Sequence, residues 1–204
     1  MAIDAPGHGR SDYKDTTEVY FHRSAAGYII GLLEQLHIDS AYVMGMSSGS
    51  LITLYLATLK RLLTQKIIII SVGLYFSETS RKFITSLGPL ANDQEALLSK
   101  SKLHGTRKAA LLFNQFWNFR KLYGDPSFTP DVLATIKAKT LIIHGDADPI
   151  ASVSNAWEMY HHISKANLWI VPNGGYVPID NPTDKNDFLT RALDFLSEDW
   201  NNNK

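Results

Sequence analysis

Apolar residues in this chain fall into two alternating patterns. Four short, continuous runs, Tyr42–Met46, Ile67–Val72, Thr140–His144 and Leu168–Val171, are bounded by turn residues and rich in Ile and Val. Runs of that length and composition predict strands buried on both faces, as in a parallel sheet. Between them lie stretches with helical spacing. Ala25, Ile29, Leu32, Leu33 and Leu36 form one, and Leu51 to Leu63 another. Val153, Ala156, Trp157, Tyr160 and Ile163 follow a capping Ser152, and Phe188, Leu189, Ala192, Leu193 and Leu196 follow Asn181-Pro182 at a predicted helix start. Strands alternating with helices predict βα repeats, hence an α/β fold with a mostly parallel sheet flanked by helices.

Residues 74–137 break the alternation. They read as helical pieces over Ser77–Leu87, Asn92–Leu103 and Thr106–Leu122, then a short helix opened by Thr129-Pro130-Asp131. The expected organisation is a core of residues 1–73 and 138–204 carrying a helical cap insertion at 74–137. The polar tail Asn201–Lys204 is expected to fray.

Composition narrows the function. Lys plus Arg equals Asp plus Glu, at 20 each, so no electrostatic case exists for nucleic acid or an anionic membrane. With no cysteine, thiolate nucleophiles and Cys-based metal sites are excluded. The histidines lack metal-ligand spacing such as H-E-x-x-H, and no Gly-rich phosphate loop follows a strand, so no metal or organic cofactor is expected. Met1-Ala2-Ile3-Asp4 does not open a signal peptide, and no apolar stretch reaches membrane-spanning length; the expectation is a cytoplasmic protein.

The chemistry-bearing feature is Gly45-Met46-Ser47-Ser48-Gly49, a G-x-S-x-G sequence at a predicted strand-to-helix junction. There a serine is held on a sharp turn as a nucleophile. Both flanking glycines are expected to answer a steric need, since the turn leaves little room for side chains.

Three further motifs occur around it in order. Asp4-Ala5-Pro6-Gly7-His8-Gly9-Arg10-Ser11 looks like a D-x-P-G-H-G-x-S loop. Leu141-Ile142-Ile143-His144-Gly145-Asp146-Ala147-Asp148-Pro149 looks like a late strand and acid loop, and Val171-Pro172-Asn173-Gly174-Gly175-Tyr176-Val177-Pro178 like the loop of a catalytic His. Together with the pentapeptide they resemble the α/β-hydrolase-fold superfamily of serine hydrolases over nearly the whole chain, in its order Ser, acid, His. The resemblance implies Ser47 as nucleophile, Asp148 as the acid, Tyr176 at the His position and the Ser48 backbone N–H as half of an oxyanion hole. Asp146 is read as a turn residue, His144 as a packed strand residue, His8 as structural, and His161 and His162 as solvent-facing. Phe113, Phe116, Trp117, Phe119 and Tyr123 are read as a cap core, with Phe113 and Trp117 the candidates for lining a substrate pocket.

Two departures shape the expectation. The family pattern Gly-Gly-His-Val-Pro is here Gly-Gly-Tyr-Val-Pro. Imidazole, with a pKa of about 6.5, accepts a hydroxyl proton near neutrality; phenol, at about 10, is about one part in a thousand phenolate at pH 7. The chain also begins within the strand leading into the Asp-Ala-Pro-Gly-His-Gly loop, where the family builds strands earlier and draws its second oxyanion N–H from one of their loops. An N-terminally truncated family member is therefore expected, with Tyr42–Met46 as an unpaired edge open to self-association. The expected activity is hydrolysis of a small-molecule ester, thioester or lactone through a Ser47 acyl-enzyme, impaired by Tyr176. The alternative is a non-catalytic relative that binds a ligand or partner in the same pocket.

Overall fold

A computed structural model describes residues 1–12, 22–86, 94–121, 126–180 and 182–197. The expectations at Leu87, Asn92, Leu122, Tyr123, Asn181 and the Asn201–Lys204 tail lie outside the described residues.

The strands are β1 (Ala41–Met46), β2 (Thr64–Ile70), β3 (Lys139–Gly145) and β4 (Ala166–Val171). They form a parallel sheet in the order β1-β2-β3-β4. The helices are α1 (His22–Gln35), α2 (Ser48–Leu59), α3 (Glu78–Ser86), α4 (Gln94–His104), α5 (Thr106–Asn118), α6 (Pro130–Leu133), α7 (Val153–His162) and α8 (Pro182–Leu196). Sequential parallel strands need right-handed crossovers, which place the connecting helices on one face. Accordingly α1, α2, α6 and α7 share one apolar cluster, and α8 covers the opposite face.

The run of four isoleucines in β2 follows from this layering. Side chains alternate across a strand. Ile67 and Ile69 pack with Leu54, Ala156 and Met159, while Ile68 and Ile70 pack with Phe188, Ala192 and Phe195. All four are buried. Each such burial stabilises the fold by about 1.5–3 kcal/mol. The helix faces are narrower than the sequence pattern suggests. Ala26, Ile29 and Leu33 of α1 are buried, whereas Leu32 and Leu36 are exposed. Ala156 and Met159 carry α7, with Trp157 and Tyr160 outside; Phe188, Ala192 and Phe195 carry α8, with Leu189 and Leu193 outside. A helix against a flat sheet buries one stripe, and apolar residues about 100° away from it face solvent.

Lys66 is a buried charged residue of β2. The Lys66 ammonium donates to the carbonyls of Phe195, Leu196 and Ser197 at 3.1, 2.9 and 2.6 Å. These are orphan acceptors at the C-terminal end of α8, where a cation also meets the negative end of the helix dipole.

Between β2 and β3 the chain is helical. The stretch expected as one helix from Thr106 ends at Asn118 and tightens to a 3₁₀ turn at Phe119–Lys121. Cross-links tie these helices to the loop after β3 and to the loop at residues 5–12, where no strand forms. Ser80 Oγ donates to the Ile150 carbonyl at 2.8 Å, Lys108 Nζ to the Ser11 carbonyl at 2.9 Å, and Gly9 N–H to His104 Nδ1 at 2.8 Å.

Among the described residues β1 is an edge strand, with Tyr42 and Met44 more than half exposed. A groove of about 900 Å³ runs beside it, with Met1–Ala5 along its lining. No described helix is long and apolar enough to cross a membrane.

Candidate active site

Parallel strands bring their carboxyl ends to one edge of the sheet, where ligands bind in open α/β folds. Met46 pairs with Ile70, Ile70 with Ile143, and Gly145 with Val171. The segments that follow these strand ends therefore meet.

Ser47 follows β1 and precedes α2 with φ 55° and ψ −120°. A non-glycine residue there is strained, and such strain persists only when the surroundings over-determine it. Its N–H donates to the Ile70 carbonyl at 2.9 Å. The buried Ser50 hydroxyl lies 2.7 Å from the Gly45 carbonyl and accepts the Ile70 N–H at 2.9 Å. A Cβ on Gly45 would sit 2.2 Å from the Gly49 carbonyl oxygen, so only glycine fits. At Gly49 the same position is open space. The steric demand expected of both glycines thus falls on Gly45, because β1 runs under the first turn of α2 and it is Gly45 that faces that turn. Ser48 opens α2, so its N–H is one of the helix's unpaired donors.

The acid loop follows β3. The Asp148 side chain is fully buried. Its Oδ1 accepts the Ile150 and Ala151 N–H groups at 2.7 and 3.0 Å. Its Oδ2 has no hydrogen-bond partner among the described residues. His144 Nε2 lies 3.6 Å from Oδ2 but donates to the Ala151 carbonyl at 2.9 Å. His144 is buried within β3, and Asp146 is exposed. His8 sits in its loop with Nδ1 3.2 Å from the Pro6 carbonyl; His161 is exposed, and His162 is half-buried rather than solvent-facing.

The loop after β4 brings in Tyr176. A Cβ on Gly145 would lie 2.1 Å from the Gly174 carbonyl oxygen, so backbone contact between the two loops depends on that glycine. Ala147 N–H donates to the same carbonyl at 2.9 Å. Tyr176 then donates its hydroxyl to Ser47 Oγ. Burial raises the phenol's pKa above its ordinary value, the bond to Ser47 works against that rise, and the charge of Asp148 adds to it. Ser47, Tyr176 and Asp148 are thus neighbours, with a neutral phenol where the resemblance calls for an imidazole.

His22 is a further polar residue at the elbow. It is fully buried at the start of α1, with Nε2 3.1 Å from Ser48 Oγ. Burial lowers its pKa to about 4, so it is neutral at pH 7. Its position was readable: it precedes Ala25, Ala26 and Ile29 by three, four and seven residues, on the apolar face of α1.

A cavity of about 70 Å³ opens beside Ser47 and Tyr176, walled by Phe83, Ile84, Phe116 and Ile150. Phe116 lines it, whereas Phe113 and Trp117 do not. Successive helix positions turn by about 100°, so residue 116 faces the cavity and its neighbour does not. The Trp117 ring instead packs against the Arg120 guanidinium, 3.1 Å from the ring centre.

The model of the serine hydrolase (FSH1) family matches residues 13–186. The uncharacterized hydrolase YugF of Bacillus subtilis is 24% identical over 208 residues, spanning 89% of this chain and 75% of its own. Among solved structures, MGS-M2, an α/β hydrolase enzyme from a Medee basin deep-sea metagenome library, superposes with a TM-score of 0.72 at 17% identity. That match covers 93% of this chain and 77% of the other. NosK from Streptomyces actuosus matches with a TM-score of 0.69 at 21% identity, over 95% and 83% of the two chains.

Proposed function

The chain belongs to the serine hydrolase (FSH1) family and is a hydrolase of the α/β-hydrolase fold; from that premise we propose that it cleaves a small ester, thioester or lactone through an acyl-enzyme on Ser47. The observation that carries this reading is the contact of the Tyr176 hydroxyl with Ser47 Oγ at a strained elbow. A nucleophile and a proton-transfer partner within hydrogen-bond reach are the first requirement for acyl transfer.

Tyr176, as phenolate, takes the Ser47 proton while Ser47 Oγ forms a bond to the substrate carbonyl carbon. The negative charge develops on the carbonyl oxygen near the Ser48 N–H. The bond to the leaving oxygen or sulfur breaks, and that atom receives the proton from Tyr176. Water then repeats the sequence on the acyl-enzyme, releasing the acid and returning the proton to Ser47. Because burial and Asp148 hold the phenol protonated, turnover at neutral pH is slow and rises with pH.

A fluorophosphonate probe tests the nucleophile. At pH 9 the expected result is a covalent adduct on the peptide bearing Ser47, absent in Ser47→Ala; an intact chain with no adduct overturns the proposal. A second reading, a non-catalytic ligand-binding relative, is favoured by one observation: the neutral phenol donates into the Ser47 oxygen rather than accepting its proton. Ester turnover abolished by Ser47→Ala would remove it.

A further inference from the structure

The cavity beside Ser47 is small, mostly apolar and partly open, and its walls bear on what it takes. We infer that it is the acyl pocket and that it admits straight acyl chains of up to about four carbons. This rests on the reading of Ser47 as acyl acceptor. The cavity holds about 70 Å³. An apolar cavity of about 150 Å³ accommodates benzene, so half that volume holds roughly three carbons. With the carbonyl carbon at Ser47 Oγ, three further carbons make a butyryl group.

The walls are what would bound the acyl chain. Ile84 is buried on α3, and Ile150 is held from the acid loop. Ser80, also on α3, donates to the Ile150 carbonyl at 2.8 Å, which fixes the two walls against each other. Phe116 is the exception. It lines this cavity and also the 900 Å³ groove beside β1, so its ring is the partition between a small space and a large one. It is also partly exposed, at 36%, so its truncation removes a wall without emptying the core. Phe116 is therefore a specificity-determining residue, and the substrate class is esters or thioesters of short unbranched acids.

Binding and turnover test this separately. The chain, ¹³C-labelled at isoleucine methyls, is titrated with acetate, propionate, butyrate, hexanoate and octanoate, following the Ile84 and Ile150 signals, with Ile84→Val to assign the first. Affinity at those methyls is expected to rise about fourfold per methylene up to butyrate and then stop rising. In Phe116→Ala the rise continues to octanoate. Affinity that climbs through octanoate in the unaltered chain, or acids that leave both methyls unshifted, overturns the assignment. In parallel, p-nitrophenyl esters of the same acids are offered to Tyr176→His. Turnover peaking at the short acids supports the pocket, and turnover favouring octanoate overturns it. If the acids bind with the expected cutoff and no ester is cleaved, the pocket stands and the acyl-enzyme reading fails.

Discussion

Replacing Tyr176 with His puts an imidazole against Ser47 in the setting already present. The Asp148 Oδ2, which has no hydrogen-bond partner among the described residues, can accept the imidazole Nδ1–H. The size of the effect follows from how often the base is in its accepting form. At pH 7 an imidazole with a pKa of about 6.5 is roughly three-quarters neutral, whereas a phenol at or above about 10 is ionised in at most about one molecule in a thousand. Burial and Asp148 hold Tyr176 on the upper side of that value. The expected gain in kcat/KM is therefore about a thousandfold, or about 4 kcal/mol of barrier. The assay is p-nitrophenyl butyrate hydrolysis between pH 6 and 10, with circular dichroism to verify the fold. For the unaltered chain, log kcat/KM should climb one unit per pH unit across the range; for Tyr176→His it should level off above about pH 7. The gap between them then closes tenfold per pH unit. A folded Tyr176→His no faster than its parent at pH 7, or a parent profile flat from pH 7 to 9 and dependent on Ser47, would show that residue 176 is not the base.

His22 makes stability fall in acid. Its folded pKa is depressed from 6.5 to about 4, so below pH 6.5 the unfolded chain takes up a proton that the folded chain refuses until about pH 4. That interval of roughly 2.5 units corresponds to about 3 kcal/mol lost on acidification. His22→Gln should flatten the slope of urea-unfolding free energy between pH 6.5 and 4, and an unchanged slope would refute the assignment. At the elbow, Gly45→Ala places a methyl 2.2 Å from the Gly49 carbonyl oxygen and should cost about 3 kcal/mol or more, read from the denaturation midpoint. Gly49→Ala enters open space on a helix and should change stability by no more than about 1 kcal/mol in either direction; equal effects at the two positions would contradict the packing described.

The sheet was legible because its signal is redundant. β2 and β3 carry Ile-rich runs buried on both faces, as expected, whereas β1, expected to be buried likewise, is an edge strand with Tyr42 and Met44 more than half exposed. Helix faces were read too broadly, because spacing identifies a stripe but not its width; Leu32, Trp157 and Leu193 satisfy the period and still face solvent. The neighbourhood of Ser47, Asp148 and Tyr176 followed from motif order, since parallel strands carry all three loops to one edge. Phe116 was not singled out over Phe113 and Trp117, because which aromatic faces a cavity depends on the rotation of α5 over the sheet. His22 lies on the readable apolar face of α1, but its contact with Ser48 joins residues far apart in the chain and no local pattern shows it.

Lys66 ties β2 to the end of α8 in a way that bears on the dynamics of both. Three carbonyls at the close of α8 are what solvate its ammonium inside the sheet layer. If the final turn frays, the ammonium loses these three acceptors in a largely buried site and keeps the Tyr42 ring, 5.2 Å away, at a cost of up to several kcal/mol. Fraying of the last helix is therefore opposed. Amide exchange in the last turn of α8 should therefore be slowed toward that of β2.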